Sequence, residues 1–311
     1  LLAEVRGDWA VFPSIVTDEI SADPETAFEL GLEWGVQHFE LRGVHDARVP
    51  RLTPYARQKL LRAVREFGVT ITAISPGLFK CPFPDTEPAR SNLGWMDAGL
   101  FRSWHEARGV VDDHLLNLLP DALEFAGELG ATYLIAFSFH RAGRPGGEAP
   151  AGVIDTLAQA AETAGSAGID LLIENEEGHW ADTGRGTARL VERVGVPALG
   201  VNWDPANALI EGDVAYPDGF AAVKDTVRNV HFKDARLHAN GSWEVVADGD
   251  VDWNGQIAAL AANGYSGAVA VEPHLSPPLA SARTSLAKLR GLIEAARRRE
   301  KNLPKGYQPN G

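Results

Sequence analysis

The chain has 311 residues, 45% hydrophobic and 23% charged, with a net charge of -13, the composition of a globular protein large enough to build a core without disulfides. The acidity disfavours a binder of nucleic-acid phosphates, which needs clustered Lys and Arg. The lone cysteine, Cys81, excludes an internal disulfide and fits a reducing, cytoplasmic compartment.

No run approaches the roughly 20 apolar residues of a membrane span. The opening "LLAEVRGDWAVF" carries Glu4 and Asp8 and lacks a basic segment followed by an apolar one, so no secretory leader is expected. A strand is predicted over 12–20 (FPSIVTDEI). The helix after it starts with Asp23 as N-cap and Pro24 at the first position, and stops at Gly35. A second strand, 36–42, leads to a helix framed in the same way by Thr53, Pro54 and Gly68. Strands follow at 69–75, 131–139, 170–174, 199–204, 228–234 and 267–272. Helical periodicity follows them at 115–129, 150–167, 184–195, 216–226, 252–263 and 280–298.

Alternation of strand and helix implies parallel pairing. Eight units in about 290 residues predict an α/β protein, a single-domain (β/α)8 TIM barrel. Its core is expected at about 12–298, with a tail over 299–311. An open doubly wound sheet would carry a glycine-rich loop after the first strand, and "TDEISADPET" has none. Residues 76–114 and the glycine-rich, basic 141–149 are long connections on the C-terminal face, where barrels hold lids and active sites.

The last four strands end alike. The fifth ends at Glu174, the sixth reaches Asp204, the seventh carries His231 and the eighth ends at Glu272. In a closed barrel these ends converge. Three carboxylates and an imidazole in one cluster repel without a cation. Oxygen-rich ligation with one nitrogen suits one divalent ion, Mn²⁺ first, with Mg²⁺, Co²⁺ or Fe²⁺ as alternatives. Zn²⁺ prefers nitrogen and sulfur ligands. A lone Asp after a strand is more often a helix cap than a ligand, and only the four in register favour a metal.

The segments "FELRG", "LLIEN", "GVNWDPAN", "VHFKDAR" and "DGDVDWNGQIAALAANGYSGAVAVE" resemble the sugar phosphate isomerase/epimerase superfamily. These are xylose-isomerase-like barrels that include ketose 3-epimerases, inosose dehydratase and hydroxypyruvate isomerase. The resemblance covers about residues 12–295 and is densest after 170. It implies that Glu174, Asp204, His231 and Glu272 hold one divalent ion. It also implies that Glu174 and Glu272 exchange a proton with a carbohydrate through an enediolate. The expected activity is a sugar isomerase or epimerase on a ketose or related keto-sugar. The alternative is a lyase or dehydratase acting on an inosose or a 3-keto-glycoside.

Departures from the family concern the substrate shell. Where the epimerases carry a second carboxylate this chain has Trp180, with Glu176, Glu177 or His179 as substitutes. Where they carry a His it has Asn207. Arg236 lies near a family substrate-binding Arg, and His140, at the end of the fourth strand, is a candidate separate base. Lys233 is read as a substrate contact or, with Asp234, as a pair supporting His231. Glu40 and Arg42 are expected at the mouth without a mutual salt bridge, being two residues apart on one strand. Trp95, Trp104 and Trp180 are candidates for an apolar wall. No phosphate-binding glycine nest follows the last two strands and "RAGRPGG" is the one candidate anion site, so a free sugar is expected. A nuclease of the same fold would need more histidines and a basic groove. The resemblance implies a homo-oligomer, and a partner subunit if the protein is a lyase.

Overall fold

The eight apolar runs form eight parallel strands that close on themselves. The computed structural model describes residues 10–84 and 98–301. Its first part contains β1 (Phe12–Val16), α1 (Pro24–Glu33), β2 (His38–Leu41), a hairpin of β3 (Gly43–Val44) and β4 (Ala47–Arg48), α2 (Pro54–Phe67) and β5 (Thr70–Leu78). Then come α3 (Ala98–Asp113), α4 (Leu119–Leu129), β6 (Tyr133–Ala136), α5 (Ala151–Ser166), β7 (Asp170–Glu174) and α6 (Gly184–Val194). The last part holds β8 (Leu199–Trp203), α7 (Pro205–Ile210), α8 (Phe220–Val223), β9 (Val227–Phe232), a hairpin of β10 (Ala235–Leu237) and β11 (Trp243–Val245), α9 (Trp253–Ala262), β12 (Ala268–Val271) and α10 (Pro278–Lys301). The barrel order is β1-β12-β9-β8-β7-β6-β5-β2, closed.

Strands covered on both faces read as continuous apolar runs: β8 and β12 are buried at every residue. Helix starts follow the predicted chemistry. Asp23 accepts from the Thr26 N–H at 3.1 Å, Thr53 from the Ala56 N–H at 3.2 Å, and Pro occupies the first turn of both helices. Gly68 closes α2 at φ 64°, a conformation that costs other residues a clash at Cβ.

Several boundaries differ from the sequence expectation. Residues Thr17–Glu19 leave the first strand as a 3₁₀ turn, which buries Glu19 at the barrel mouth. The connection 76–114 is not a bare loop, because α3 fills its second half and runs through a π-turn (His114–Leu118) into α4. The helix expected at 216–226 is the short α8 preceded by a π-turn, Ala215–Gly219, and α10 extends the last helix to 278–301. Both hairpins and α7 escaped the sequence reading, since elements of two to six residues show no measurable periodicity. Trp95, the side chain of Trp104, residues 85–97 and the tail 302–311 lie outside the described residues. Among the described residues no helix is long and apolar enough to cross a membrane.

The π-turn positions His114 beneath the mouth. Its Nδ1 accepts the N–H of Phe79 at 2.9 Å, and Phe79 holds φ at 60°, a strained value for a non-glycine residue. Burial holds the imidazole down at about 4, against an ordinary 6.5, with the nearby Arg51 charge acting in the same direction. A folded-state value below the unfolded one means that the unfolded chain binds the proton first. The contribution is therefore full above pH 6.5 and is lost as pH falls toward 4. The expected loss is on the order of 1–2 kcal/mol after solvent screening. Thermal melts at pH 7 and pH 4.5 check this: His114→Gln should shrink the drop, and an unchanged drop would assign it elsewhere.

Candidate metal centre

Alternation along the strands builds the site in layers. Asn202, Asn229 and Glu40 are all fully buried inside the barrel. Asp204 and His231, each two residues further along its strand path, reach the next layer up. Glu174 ends β7 and Glu272 directly follows β12. The four expected ligands are brought together: one ligand atom from each of Glu174, Asp204, His231 and Glu272 lies within 4.8 Å of the others. All four residues are at least 95% buried.

Asp204 divides its two oxygens between two tasks. Oδ1 caps α7 through the N–H groups of Ala206 (2.9 Å) and Asn207 (3.0 Å). Oδ2 faces the cluster, 2.7 Å from Lys233 Nζ but without hydrogen-bond geometry to any donor. Cap and cluster member, which the sequence set against each other, coexist. Asn175, the residue after Glu174, bonds both ways to the Asp204 backbone at 2.7 and 2.8 Å and so ties the ends of β7 and β8 together.

His231 turns Nε2 downward, 3.1 Å from Glu40 Oε2 and 3.2 Å from Oε1. With Nε2–H donated to Glu40, Nδ1 faces the cluster and would offer its lone pair there once its own proton is given up. It stands 3.0 Å from Glu272 Oε2 and 3.3 Å from Glu174 Oε1. Asn229 Nδ2 supports the same carboxylate at 3.2 Å.

Three buried atoms here have no hydrogen-bond partner among the described residues: Asp204 Oδ2, His231 Nδ1 and Glu272 Oε2. Buried polar atoms without partners are costly. The group that would satisfy all three is a cation. The protein's own charges provide part of the balance. Burial alone would strip the proton from His231, but Glu272, Glu40 and Glu174 overcome it and hold the imidazole well above its usual range. Burial pushes the Asp204 carboxyl up, against the pull of Lys233. Burial would also raise Glu272, yet His231 and His274 hold it well below the usual carboxylate range. A divalent ion would take the place of the His231 proton. Three oxygens and one nitrogen fit a hard or borderline divalent cation.

A cavity of about 330 Å³ opens over the cluster, walled by Glu174 and Glu272 together with Asn207, Lys233, Arg42 and Arg48. Arg42 anchors the rim. It reaches Glu272 Oε1 at 2.6 Å, Glu19 Oε1 at 2.7 Å and Asp18 Oδ2 at 2.9 Å. Its guanidinium thus spans Glu19 and Glu272, which with His274 form a second three-residue cluster of ligand type. His274 also bonds Glu19, at 2.9 Å, and is raised to about 9: burial opposes the charge, and Glu19 and Glu272 outweigh it.

The remaining expected site residues fall into two groups. Asn207 and Lys233 line the cavity and bond each other at 2.8 Å. Lys233 does not pair with Asp234, which turns outward to Lys288 at 3.1 Å and to backbone N–H groups, so Lys233 supports Asp204 rather than His231. Glu40, expected at the mouth, lies below His231 instead. Arg236 is exposed on β10 and donates to the Asp248 carbonyl. His140 and His179 do not line this cavity; their rings meet edge to face at 5.3 Å, and His179 packs on Phe137 at 5.8 Å. Trp180 is buried in the core and forms no wall of the cavity. Arg141, the first residue of the candidate anion loop, is consumed by Asp182, Glu211 and the His179 carbonyl. The sequence reading missed Arg48, Lys80, Phe137, Trp243 and His274 on the cavity wall. Of these His274 had a signal, two residues past Glu272.

A closed parallel barrel with a carboxylate–imidazole cluster at its C-terminal mouth is the layout in which TIM-barrel enzymes place their chemistry. A family model described as "Xylose isomerase-like TIM barrel" matches residues 28–292, and the chain belongs to that family. Among similar solved structures is an L-ribulose 3-epimerase at 19% identity, covering 96% of this chain and 99% of that one, with TM-score 0.63. Another is a D-allulose 3-epimerase from Methylomonas sp. in complex with D-allulose, at 16% identity, 91% and 96% coverage and TM-score 0.60. A third is a xylose isomerase-like TIM barrel protein from Mycobacterium smegmatis in complex with magnesium, at 16% identity, 93% and 98% coverage and TM-score 0.64. At these identities the likeness speaks for the fold. No curated protein matches the chain.

Proposed function

We propose that the protein is a divalent-metal-dependent isomerase or epimerase of a keto-sugar. The observation that carries this reading is the set of three buried atoms without a hydrogen bond among the described residues, Asp204 Oδ2, His231 Nδ1 and Glu272 Oε2, converging with Glu174 under an open cavity. Glu174, Asp204, His231 and Glu272 would hold the ion, with Mn²⁺ preferred and Mg²⁺ or Co²⁺ as alternatives. When bound, the ion supplies Lewis-acid polarisation of a substrate carbonyl.

The chain's own residues do the rest. Glu174 and Glu272 stand on β7 and just after β12, with β8 and β9 between them in the barrel, so they approach a substrate from two sides. One removes the proton next to the carbonyl and the other returns one from the opposite side, which inverts that carbon. Lys233 and Asn207 fix Asp204 and α7, Glu40 fixes the tautomer of His231, and Arg42 orients Glu272. His140 has no part in this scheme, because its ring lies against His179. The ketose epimerases among the structural neighbours support the reaction type.

The test is turnover of a ketose panel in D₂O with Mn²⁺ and with EDTA. Deuterium should enter the carbon next to the carbonyl without loss of water or of an aglycone, and EDTA should stop it. Release of either group would make the protein a lyase. Exchange untouched by EDTA would remove the metal from the reading. Mn²⁺ should also raise Tm by mass action, by roughly 3 kcal/mol of stability at a hundredfold excess over Kd. A melt insensitive to Mn²⁺ would count against the site.

A further inference from the structure

Among the described residues the cavity wall carries five cationic side chains, and four of them have a carboxylate within 4.0 Å. Arg42 holds Glu272, Glu19 and Asp18, Lys233 holds Asp204 at 2.7 Å, Lys80 holds Glu176 at 3.1 Å, and His274 holds Glu19 at 2.9 Å. The fifth is Arg48. Among the described residues no carboxylate oxygen lies within 4.0 Å of its nitrogens.

Arg48 is nevertheless firmly placed. It sits on β4, in the short hairpin after β2. Nε donates to the Ser75 carbonyl at 2.8 Å and Nη2 to Ser75 Oγ at 2.9 Å. The guanidinium rests on Gly77, where a Cβ would come within 3.2 Å of Nε and 3.3 Å of Cζ. Gly77 also holds φ at +78°, a backbone conformation that favours glycine, and a Cβ there would press on the guanidinium. Nη1 meets no acceptor among the described residues, and it belongs to a side chain that lines the same cavity as Glu174 and Glu272. Burial works against the charge on Arg48 and Arg42 adds to the effect, while Glu174, Asp18 and Glu272, none in direct contact, act in its favour. A fixed guanidinium with spare donors is a fork for a planar or tetrahedral oxyanion.

We propose that Arg48 binds an anionic oxygen group of the substrate, a carboxylate or a phosphate, while its keto end lies over the ligand cluster. The substrate is then an acidic keto-sugar and not the free sugar expected from the sequence. This rests on the metal-centre reading above and assigns its substrate class. A cavity of about 330 Å³ spans both ends of a single five- or six-carbon molecule.

The test uses the full chain loaded with Mn²⁺ and calorimetric titration with D-fructose, D-fructose 6-phosphate and 5-keto-D-gluconate. An anionic probe should bind roughly tenfold to hundredfold more tightly than the neutral one. The ion itself attracts anions, so the deciding comparison is with Arg48→Met. That variant should lose the preference while Mn²⁺ stoichiometry stays the same, and Arg48→Lys should keep part of it. Preference for the phosphate or for the carboxylate identifies the group. Equal binding of all three probes, an undiminished preference in Arg48→Met, or no binding of either anion to Mn²⁺-loaded protein overturns the proposal alone. Failure of the chain to bind Mn²⁺ overturns the metal-centre reading, and the proposal with it.

Discussion

Glu174→Gln is expected to abolish tight binding of the divalent ion and to cut turnover by roughly 10²–10⁴-fold. The substitution keeps the shape of the side chain and removes its charge from a group of four ligand-type residues gathered within 4.8 Å. It takes away one ligand and, in the proposed mechanism, one of the two proton carriers. It also relieves repulsion among buried carboxylates, so the ion-free variant should be no less stable than the ion-free parent. That pairing separates a lost site from a damaged fold. Metal content by atomic absorption, Tm without metal and deuterium exchange in one preparation provide the check. A variant with one ion per chain and full exchange would end the assignment of Glu174.

Glu40→Gln should weaken the ion about 10–100-fold while leaving one site per chain. Glu40 touches no open space and sits beneath His231, with its oxygens 3.1 and 3.2 Å from Nε2. Its charge makes the imidazole a stronger donor through Nδ1 and fixes the tautomer. Glutamine retains an acceptor for Nε2–H but not the charge, so the defect should be overcome by excess Mn²⁺, with turnover at saturation close to the parent's. Glu40→Leu removes the acceptor as well and should cost a further 1–3 kcal/mol or so of stability. Mn²⁺ titration calorimetry distinguishes the cases. An unchanged Kd in Glu40→Gln would make Glu40 a filler of the barrel and nothing more.

The two carboxylates in these predictions were not equally legible. Glu174 follows three apolar residues at the end of a core strand, and three later strands end in the same chemistry, so register alone pointed to convergence. Glu40 sits in the same kind of run, "HFELRG", and was expected at the mouth with Arg42. The two are two residues apart on one face, and one step of the pleat places Arg42 on the rim and Glu40 in the layer below. Strand period reveals which face a residue occupies. How far up the barrel it lies depends on the stagger between strands, such as the irregular register of β2 against β5.

The substrate side of the cavity was not legible. Arg48 and Trp243 come from hairpins too short to show periodicity, and Lys80 from the turn beyond β5. His140, His179 and Arg236 were plausible by position in the chain, but neighbouring side chains and carbonyls engage them away from the cavity wall.

The sequence by itself determined the alternation of strand and helix, the barrel and the four ligand-type residues at its mouth. Each follows from local signals, such as apolar runs, caps and strand ends, that recur eight times along the chain. The tertiary structure alone decided which charges are compensated. Pairing of Lys233 with Asp204, Arg42 with Glu272 and Glu40 with His231, and of no carboxylate with Arg48 among the described residues, depends on separations of up to 230 positions along the chain. Electrostatic partnership falls off with distance in space, and closing the barrel is what sets that distance.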